Sequence, residues 1–258
     1  MRDSYRTVLI ISGFLYLLLF NAGCFKSSPE ESRHTTPDHT LFDSLLHLYV
    51  DSAGLVNYAG FAKDSVAFKK YLTLLKQNPP SKTWTDHDKL AYWINAYNAF
   101  TIELILHYKP PNSIKDITNV NIPFVYSPWQ IDFIEIGETF YNLDDIEHGI
   151  LRKYFDEPRI HFALVCAARS CPPLRQEAYT GIKLDKQLTD QAIKFLSDTT
   201  KNQLHPDHLL ISSIFNWYSE DFTKTGPLID FISRFTPISI NKDAEIEYVE
   251  YNWKLNGL

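Results

Sequence analysis

Two cysteines near the middle of the chain, preceded by a glutamate and two histidines, could carry chemistry. Four residues separate Cys166 from Cys171, and Glu147, His148 and His161 lie before them. A cysteine thiolate that has a histidine as its base can attack an amide or ester carbonyl. Two prolines follow Cys171, and a proline at the first position of a helix would place Cys171 at the N-cap, where the helix dipole favours the thiolate. The sequence therefore contains the residue types of a cysteine-dependent hydrolase or acyl transferase, with Cys171 as nucleophile and Glu147, His148 and His161 as its candidate partners.

The same two cysteines allow two other functions. In an exported chain, cysteines five positions apart are first of all a candidate disulfide. Such a bond between Cys166 and Cys171 would shape a loop in a module that binds a peptide, a glycan or a small ligand. A thiol oxidoreductase ranks third, because the spacing is C-x₄-C rather than C-x-x-C. Whether the protein is an enzyme is left open, and a binding module is the first hypothesis.

Glu147 lies where a helix should be apolar. At about 100° per residue, a helix over 143–155 has one apolar stripe with Glu147 in its middle. The residues of this stripe are Leu143, Ile146, Ile150, Leu151 and Tyr154. We expect Glu147 to be buried and bonded to Asn95, Asn98, a histidine or an arginine, either for architecture or as an acid or base of raised pKa. His148 and Arg152 are four residues apart on the adjoining face, where they complete a polar cluster or face solvent.

The longest predicted helix covers 86–108. Thr85 and Asp88 have the spacing of a capping box, and Pro110 forbids continuation. Its core stripe consists of Leu90, Trp93, Ile94, Tyr97, Thr101, Leu104 and Ile105. Asn95 and Asn98 lie on the shoulder of that stripe, so their amides should be buried and need partners. With Arg152 and Arg175, they are the candidate binding residues of a site between this helix, helix 143–155 and the loop from Cys166 to Arg175.

The remaining pattern predicts an α+β domain with a small, mainly antiparallel sheet and helices packed around it. Further helices are expected at 41–50, 64–77, 185–198 and 227–234. Strands are expected at 130–136, 138–142, 159–166, 208–212 and 246–251, the first two forming a hairpin. The apolar run "RIHFALVC" is typical of a buried central strand, which would place His161 in the sheet as a satisfied core residue.

The N-terminus has the pattern of an export signal. Arg2 and Arg6 precede an apolar run from Thr7 to Phe20, and small residues then lead to Cys24. The ending "NAGC" resembles the lipobox of bacterial lipoprotein signal peptides, which implies that Cys24 is acylated. We therefore expect a signal peptide at 1–23, a lipidated and flexible tether at 24–40 and one globular domain at 41–258. The expected location is the cell envelope, outside the cytoplasm and anchored to a bacterial membrane.

Charge and motifs exclude several kinds of partner. The net charge is −6, so nucleic acid is a poor partner. No H-E-x-x-H, paired C-x-x-C, Asp-rich calcium loop or nucleotide-binding glycine motif appears, and we predict neither a metal nor a cofactor. Several aromatic residues either line a glycan groove or belong to the core. They are Trp93, Tyr97, Trp217, Tyr218 and Trp253.

Five blocks of the sequence resemble a known family. They are "GLVNYAGF", "LAYWINAYNAFTIELIL", "LDDIEHGILR", "RIHFALVCAARSCPPLRQEAY" and "YVEYNWKLNG". In this order and spacing they look like the family catalogued as domain of unknown function 547, over about residues 50–256. Asn252 departs from that pattern, which has an aspartate before the tryptophan, so the resemblance implies no acidic role there. The family has no agreed biochemical activity, and the resemblance implies neither a cofactor nor a reaction.

Overall fold

The structure of the protein is a computed structural model that describes residues 36–110, 112–117 and 127–258. The predicted signal peptide and Cys24 lie outside the described residues. The first helix begins at Thr40, one residue before the predicted start of the domain. No helix among the described residues is both long and apolar enough to cross a membrane.

Helices are the main regular structure of the described chain. The α-helices are α1 (Thr40–Tyr49), α2 (Tyr58–Lys63), α3 (Ser65–Gln77), α4 (Asp86–Tyr108), α5 (Arg152–Tyr154), α6 (Leu184–Leu196), α7 (Ile214–Trp217), α8 (Ser219–Phe222) and α9 (Leu228–Ser233). A π-helix, Asp145–Leu151, runs directly into α5, and 3₁₀ turns occur at Ile114–Asp116, Pro128–Gln130 and Pro158–Phe162. The predicted bounds of α4 are confirmed, and those of α1, α3, α6 and α9 are correct to within two residues.

Two small sheets accompany the helices. Strands β1 (Ile134–Ile136) and β2 (Thr139–Tyr141) form the predicted antiparallel hairpin, whose turn contains Gly137 at a φ of 62°. Strands β3 (Gln203–Leu204) and β4 (His208–Ser212) are also antiparallel, whereas β5 (Glu245–Val249) pairs with β4 in parallel. The predicted α+β class is thus confirmed.

Helix α4 is the centre of the core. Of its 23 residues 15 are buried, including the whole predicted stripe, so the helix is apolar nearly all round and is covered on every side. Helices α2 and α3 and the π-helix pack against it, and α1 and the hairpin pack against α3 in the same core. A second cluster, centred on Phe162, Phe195, Phe215 and Phe222, fills the space between α6, β4 and the short helices α7 to α9.

The prediction of a strand at 159–166 is wrong. Pro158 begins a 3₁₀ helix that ends at Phe162, and the backbone then continues without regular structure although it is buried. Side-chain amides satisfy this backbone instead of a sheet. Asn98 donates to the carbonyl of Ala163 (2.9 Å) and accepts from the N–H of Val165 (2.9 Å).

The same device recurs further along the chain. Asn95 donates to the carbonyl of Tyr179 (2.8 Å) and accepts from its N–H (2.9 Å). Gln191 donates to the carbonyls of Phe162 (3.2 Å) and Pro173 (2.8 Å). Because buried backbone groups must be paired, α4 and α6 hold the irregular segment 162–180 in place through amides.

We predict that Asn98→Ala lowers the free energy of unfolding by about 3 kcal/mol, because it leaves two buried backbone groups unpaired. Asn216, which is exposed, supplies the matched control: Asn216→Ala should change the stability little. Urea unfolding followed by circular dichroism measures both variants. Equal midpoints for Asn98→Ala and the wild type would contradict the role given to the amide.

Candidate functional site

A cavity of about 200 Å³ opens between α4, the π-helix, the segment 164–172, helix α7 with Tyr218 directly after it, and the C-terminal segment 251–253. Its walls are mainly aromatic, and they are formed by Tyr97, Trp129, Trp217, Tyr218, Tyr251 and Trp253. Its polar and sulfur-containing residues are Asp144, Glu147, His148, His161, Cys166 and Cys171. We call this space the aromatic cavity.

Glu147 lines the cavity from the π-helix Asp145–Leu151. The N–H of Arg152 bonds to the carbonyl of Glu147, five residues earlier, which widens the turn. The side chain of Glu147 is 7% exposed, so its predicted burial is confirmed. The wide turn also shifts the helical phase. Tyr154, which we placed on the apolar stripe, is therefore 69% exposed, and that placement was wrong.

The hydroxyl groups of two tyrosines, Tyr97 and Tyr218, lie close to the carboxylate of Glu147 and interact with it. Of the partners that we predicted, Asn95 and Asn98 bond to backbone, and Arg152 and His161 bond to Asp221. Burial, reinforced by the charge of Glu147, raises the pKa of Tyr97, Tyr218 and Tyr251 far above the ordinary value. These hydroxyls therefore stay protonated at neutral pH, where they can donate hydrogen bonds.

A buried histidine and a partly buried aspartate lie beside this cluster. The Nε2 of His161 is 2.7 Å from Oδ2 of Asp221, and its ring stacks on Tyr218 with centroids 3.9 Å apart. Because a carboxylate only accepts, Nε2 carries the proton. Burial lowers the pKa of His161 in spite of the hydrogen bond to Asp221, so the ring is neutral at neutral pH.

Asp221 joins this histidine to the cluster on the π-helix. Arg152 donates to both of its carboxylate oxygens (2.6 and 3.3 Å), and the guanidinium of Arg152 also lies 3.0 Å from Nδ1 of His148. Burial of the Asp221 carboxyl opposes its ionisation, but the bonds from His161 and Arg152 outweigh burial and hold its pKa far below the ordinary value. The sequence analysis missed Asp221, because no motif surrounds it and 60 residues separate it from His161.

The two cysteines lie together in the cavity wall as a disulfide-bonded pair. Their Cα atoms are 6.3 Å apart, within the range that such a bond requires. Cys171 is buried, its Sγ accepts from the hydroxyl of Tyr251 (3.2 Å), and the N–H of Cys166 also points at it (3.1 Å). The predicted N-cap position of Cys171 is wrong, since residues 171–180 form no helix and α6 begins only at Leu184.

The C-terminal segment brings two of the aromatic walls to the cavity. It pairs with the cysteine loop through backbone hydrogen bonds from Arg169 to Lys254 (2.7 Å) and from Ser170 to Asn252 (3.2 Å). Ala167, at the start of this pairing, has a φ of 63°, which is uncommon for a residue with a Cβ atom. The block "YVEYNWKLNG" contains Tyr251 and Trp253, and it was the signal in the sequence that could have placed them here.

The four predicted binding residues lie outside the cavity. Asn95 and Asn98 are buried, and their amides bond to the backbone of Tyr179 and Ala163. Arg175 forms a salt bridge with Glu177 (2.8 Å). Arg152 binds Asp221, behind the wall formed by Tyr218. None of these four is a lining residue of the cavity.

Four of the five candidate groove aromatics line the cavity, namely Tyr97, Trp217, Tyr218 and Trp253. The fifth, Trp93, is a core residue that packs against Tyr92 and Tyr141.

Among the described residues, one group of three potential metal ligands comes together outside the cavity. It consists of His208, Glu245 and Glu247 on the paired strands β4 and β5, with ligand atoms within 4.8 Å of one another. Both glutamates are exposed. Surface carboxylates beside a histidine are not by themselves evidence of a metal.

The buried, neutral His161 predicts a pH dependence of stability. The unfolded chain takes up a proton near pH 6.5 that the folded state resists, so the free energy of unfolding should fall as pH drops below 6.5. His161→Gln should reduce this slope, which one histidine can make as steep as about 1.4 kcal/mol per pH unit. Buried His39, whose pKa is lowered to about 4 by burial, leaves a residual slope.

Urea titrations between pH 5 and 7 measure how steeply the free energy of unfolding depends on pH. His87 is exposed and serves as the control, so His87→Gln should keep the wild-type slope. Equal slopes for His161→Gln and the wild type would refute the assignment.

Comparison with known proteins gives one result. No curated protein and no solved structure matches the chain. Residues 81–196 match the model of the family described as "Protein of unknown function, DUF547". The matched range includes α4, the π-helix and both cysteines, and it ends before α7, α8 and the C-terminal wall of the cavity. Over these residues, the match supports the resemblance to the DUF547 family that the sequence blocks indicate.

Proposed function

We propose that the protein is an extracytoplasmic, lipid-anchored binding module and that the aromatic cavity is its ligand site. The observation that carries the proposal is the composition of this cavity: aromatic walls surround a few converging polar groups, with a buried carboxylate among them. Ligand sites commonly have this composition, in which apolar walls supply affinity and a few polar groups fix the orientation. The ligand is a small molecule, or one residue of a peptide or glycan, and nucleic acid is not a partner.

The state of the cysteines supports a binding module over an enzyme. Both sulfurs are used in the Cys166–Cys171 pair, and a paired cysteine cannot act as a nucleophile. A disulfide also suits a compartment outside the cytoplasm, which agrees with the export signal predicted at the N-terminus.

One observation favours the cysteine-dependent hydrolase or acyl transferase as the second candidate. His161 is bonded to Asp221, as the base of a catalytic triad is bonded to the residue that orients it, and His161 and Cys171 line the same cavity. This function requires that the disulfide be reduced, and it requires turnover of an amide or ester that depends on Cys171.

The anchor predicts that Cys24→Ser releases the protein from the membrane fraction without preventing export. Ser27→Ala, in the same predicted tether, should leave the protein on the membrane. Fractionation of cells and mass spectrometry of the mature N-terminus measure the outcome, with acyl chains expected on Cys24. An unmodified N-terminus at another residue would exclude the anchor.

The ligand site predicts that a side chain at the mouth of the cavity controls binding. Trp217 lines the cavity and is 47% exposed, whereas Tyr248 is 41% exposed and does not line it. We expect Trp217→Ala to weaken the binding of small probes by about tenfold, or about 1.4 kcal/mol, and Tyr248→Ala to leave it unchanged.

Saturation-transfer NMR with a library of amines, alcohols, carboxylates, monosaccharides and dipeptides provides the probes. If no compound in the library binds in a way that Trp217→Ala weakens, the result would argue against the binding module. Hydrolysis of ester or amide substrates that disappears in Cys171→Ala would instead establish the enzyme.

A further inference from the structure

The aromatic cavity contains negative charge that no cation of the described chain neutralises by direct contact. Glu147 is 7% exposed, and the two hydroxyl groups that lie close to its carboxylate, those of Tyr97 and Tyr218, are uncharged. Asp144, one turn earlier, also lines the cavity, and burial raises the pKa of its carboxyl. Neither carboxylate forms a salt bridge with a residue that the structure describes.

The nearest cationic side chain is already engaged elsewhere. Arg152 makes two bonds to Asp221 and one to His148, and its guanidinium lies 5.1 Å from the ring centroid of Tyr218. Arg152 therefore acts on the charge of Glu147 only through electrostatic attraction at longer range. A buried carboxylate is stabilised most by a cation at contact distance, so the position beside Glu147 inside the cavity is electrostatically suited to one.

The walls of the cavity attract cations as well. The faces of aromatic rings carry negative potential, and tryptophan binds cations best. The ammonium group of Lys115 lies 3.5 Å from the ring centroid of Trp253, so one ring of this wall already holds a cation of the protein itself. Tyr251 is tilted by 51° relative to both Trp217 and Trp253, which makes the wall curved rather than a flat platform for a sugar ring.

We propose that the aromatic cavity binds an organic cation, an alkylated or primary ammonium group, with Glu147 as its counter-ion. This inference rests on the proposed binding function and names its ligand class. Pockets for whole drug-sized ligands hold roughly 300–1,000 Å³. The cavity of about 200 Å³ is smaller, so it encloses the cationic head group while the rest of the ligand extends past Trp217 to solvent.

The test uses two probes of nearly the same shape that differ in charge. Choline carries a trimethylammonium group, and 3,3-dimethyl-1-butanol has a neutral carbon in place of the nitrogen. Isothermal titration calorimetry on the mature chain should show choline binding at least about tenfold more tightly than its neutral counterpart. Glu147→Gln keeps the shape and the hydrogen-bond acceptor, and it should remove most of this preference by weakening choline about tenfold.

Glu220→Gln is the matched control, because Glu220 is an exposed glutamate that does not line the cavity, and it should bind choline as the wild type does. Equal affinity of the wild type for the two probes would overturn the cation proposal and leave the binding module standing. Failure of choline to bind, while the Trp217-dependent ligands of the library are all uncharged or anionic, would overturn it in the same way. If Glu147→Gln does not fold, the comparison of the two probes on the wild type still decides.

Discussion

Hydrogen bonds from buried side-chain amides to backbone are the interaction on which the rest of the structure depends. Most of the segment 162–180 is buried and has no regular structure, so most of its carbonyl and N–H groups need partners outside the segment. Asn95 and Asn98 on α4 and Gln191 on α6 pair with them at 2.8–3.2 Å. The loop with both cysteines therefore has a defined place between two helices. Without these amides, the cavity would lose one of its walls.

Charge is organised around this frame in two layers. In the first, Asp221 holds His161 and Arg152 together, and the three groups satisfy one another without needing a ligand. The second layer is Glu147, which lines the cavity from the π-helix, has the hydroxyl groups of Tyr97 and Tyr218 close to its carboxylate and forms no salt bridge with a described residue. The difference between the two layers explains why the cavity, rather than the His161–Asp221 pair, is the best candidate for ligand binding.

Much of the fold could be predicted from local patterns. The N-cap at Thr85 and the prolines at 110 and 111 give the ends of α4, and the apolar surroundings of Asn95, Asn98 and Glu147 correctly predict their burial. The strand at 159–166 could not be excluded, because an apolar run looks the same whether strands or remote amides satisfy its backbone. The π-helix was equally hidden, since a sequence read at a fixed helical period contains no sign of a wider turn, and the misplaced Tyr154 follows from it. Asp221 and Tyr251 reach the site across 60 and 80 residues of chain, a separation over which local patterns carry no information.

The central claim is that this domain is a binding module whose site has a disulfide in its wall. Mass spectrometry of the mature protein, treated with iodoacetamide near neutral pH without reductant, tests this most directly. The account predicts a peptide in which Cys166 and Cys171 remain unlabelled and which is two hydrogens lighter than its reduced form. Rapid labelling of Cys171 alone would contradict it, because Cys171 would then be a free and reactive thiol beside His161.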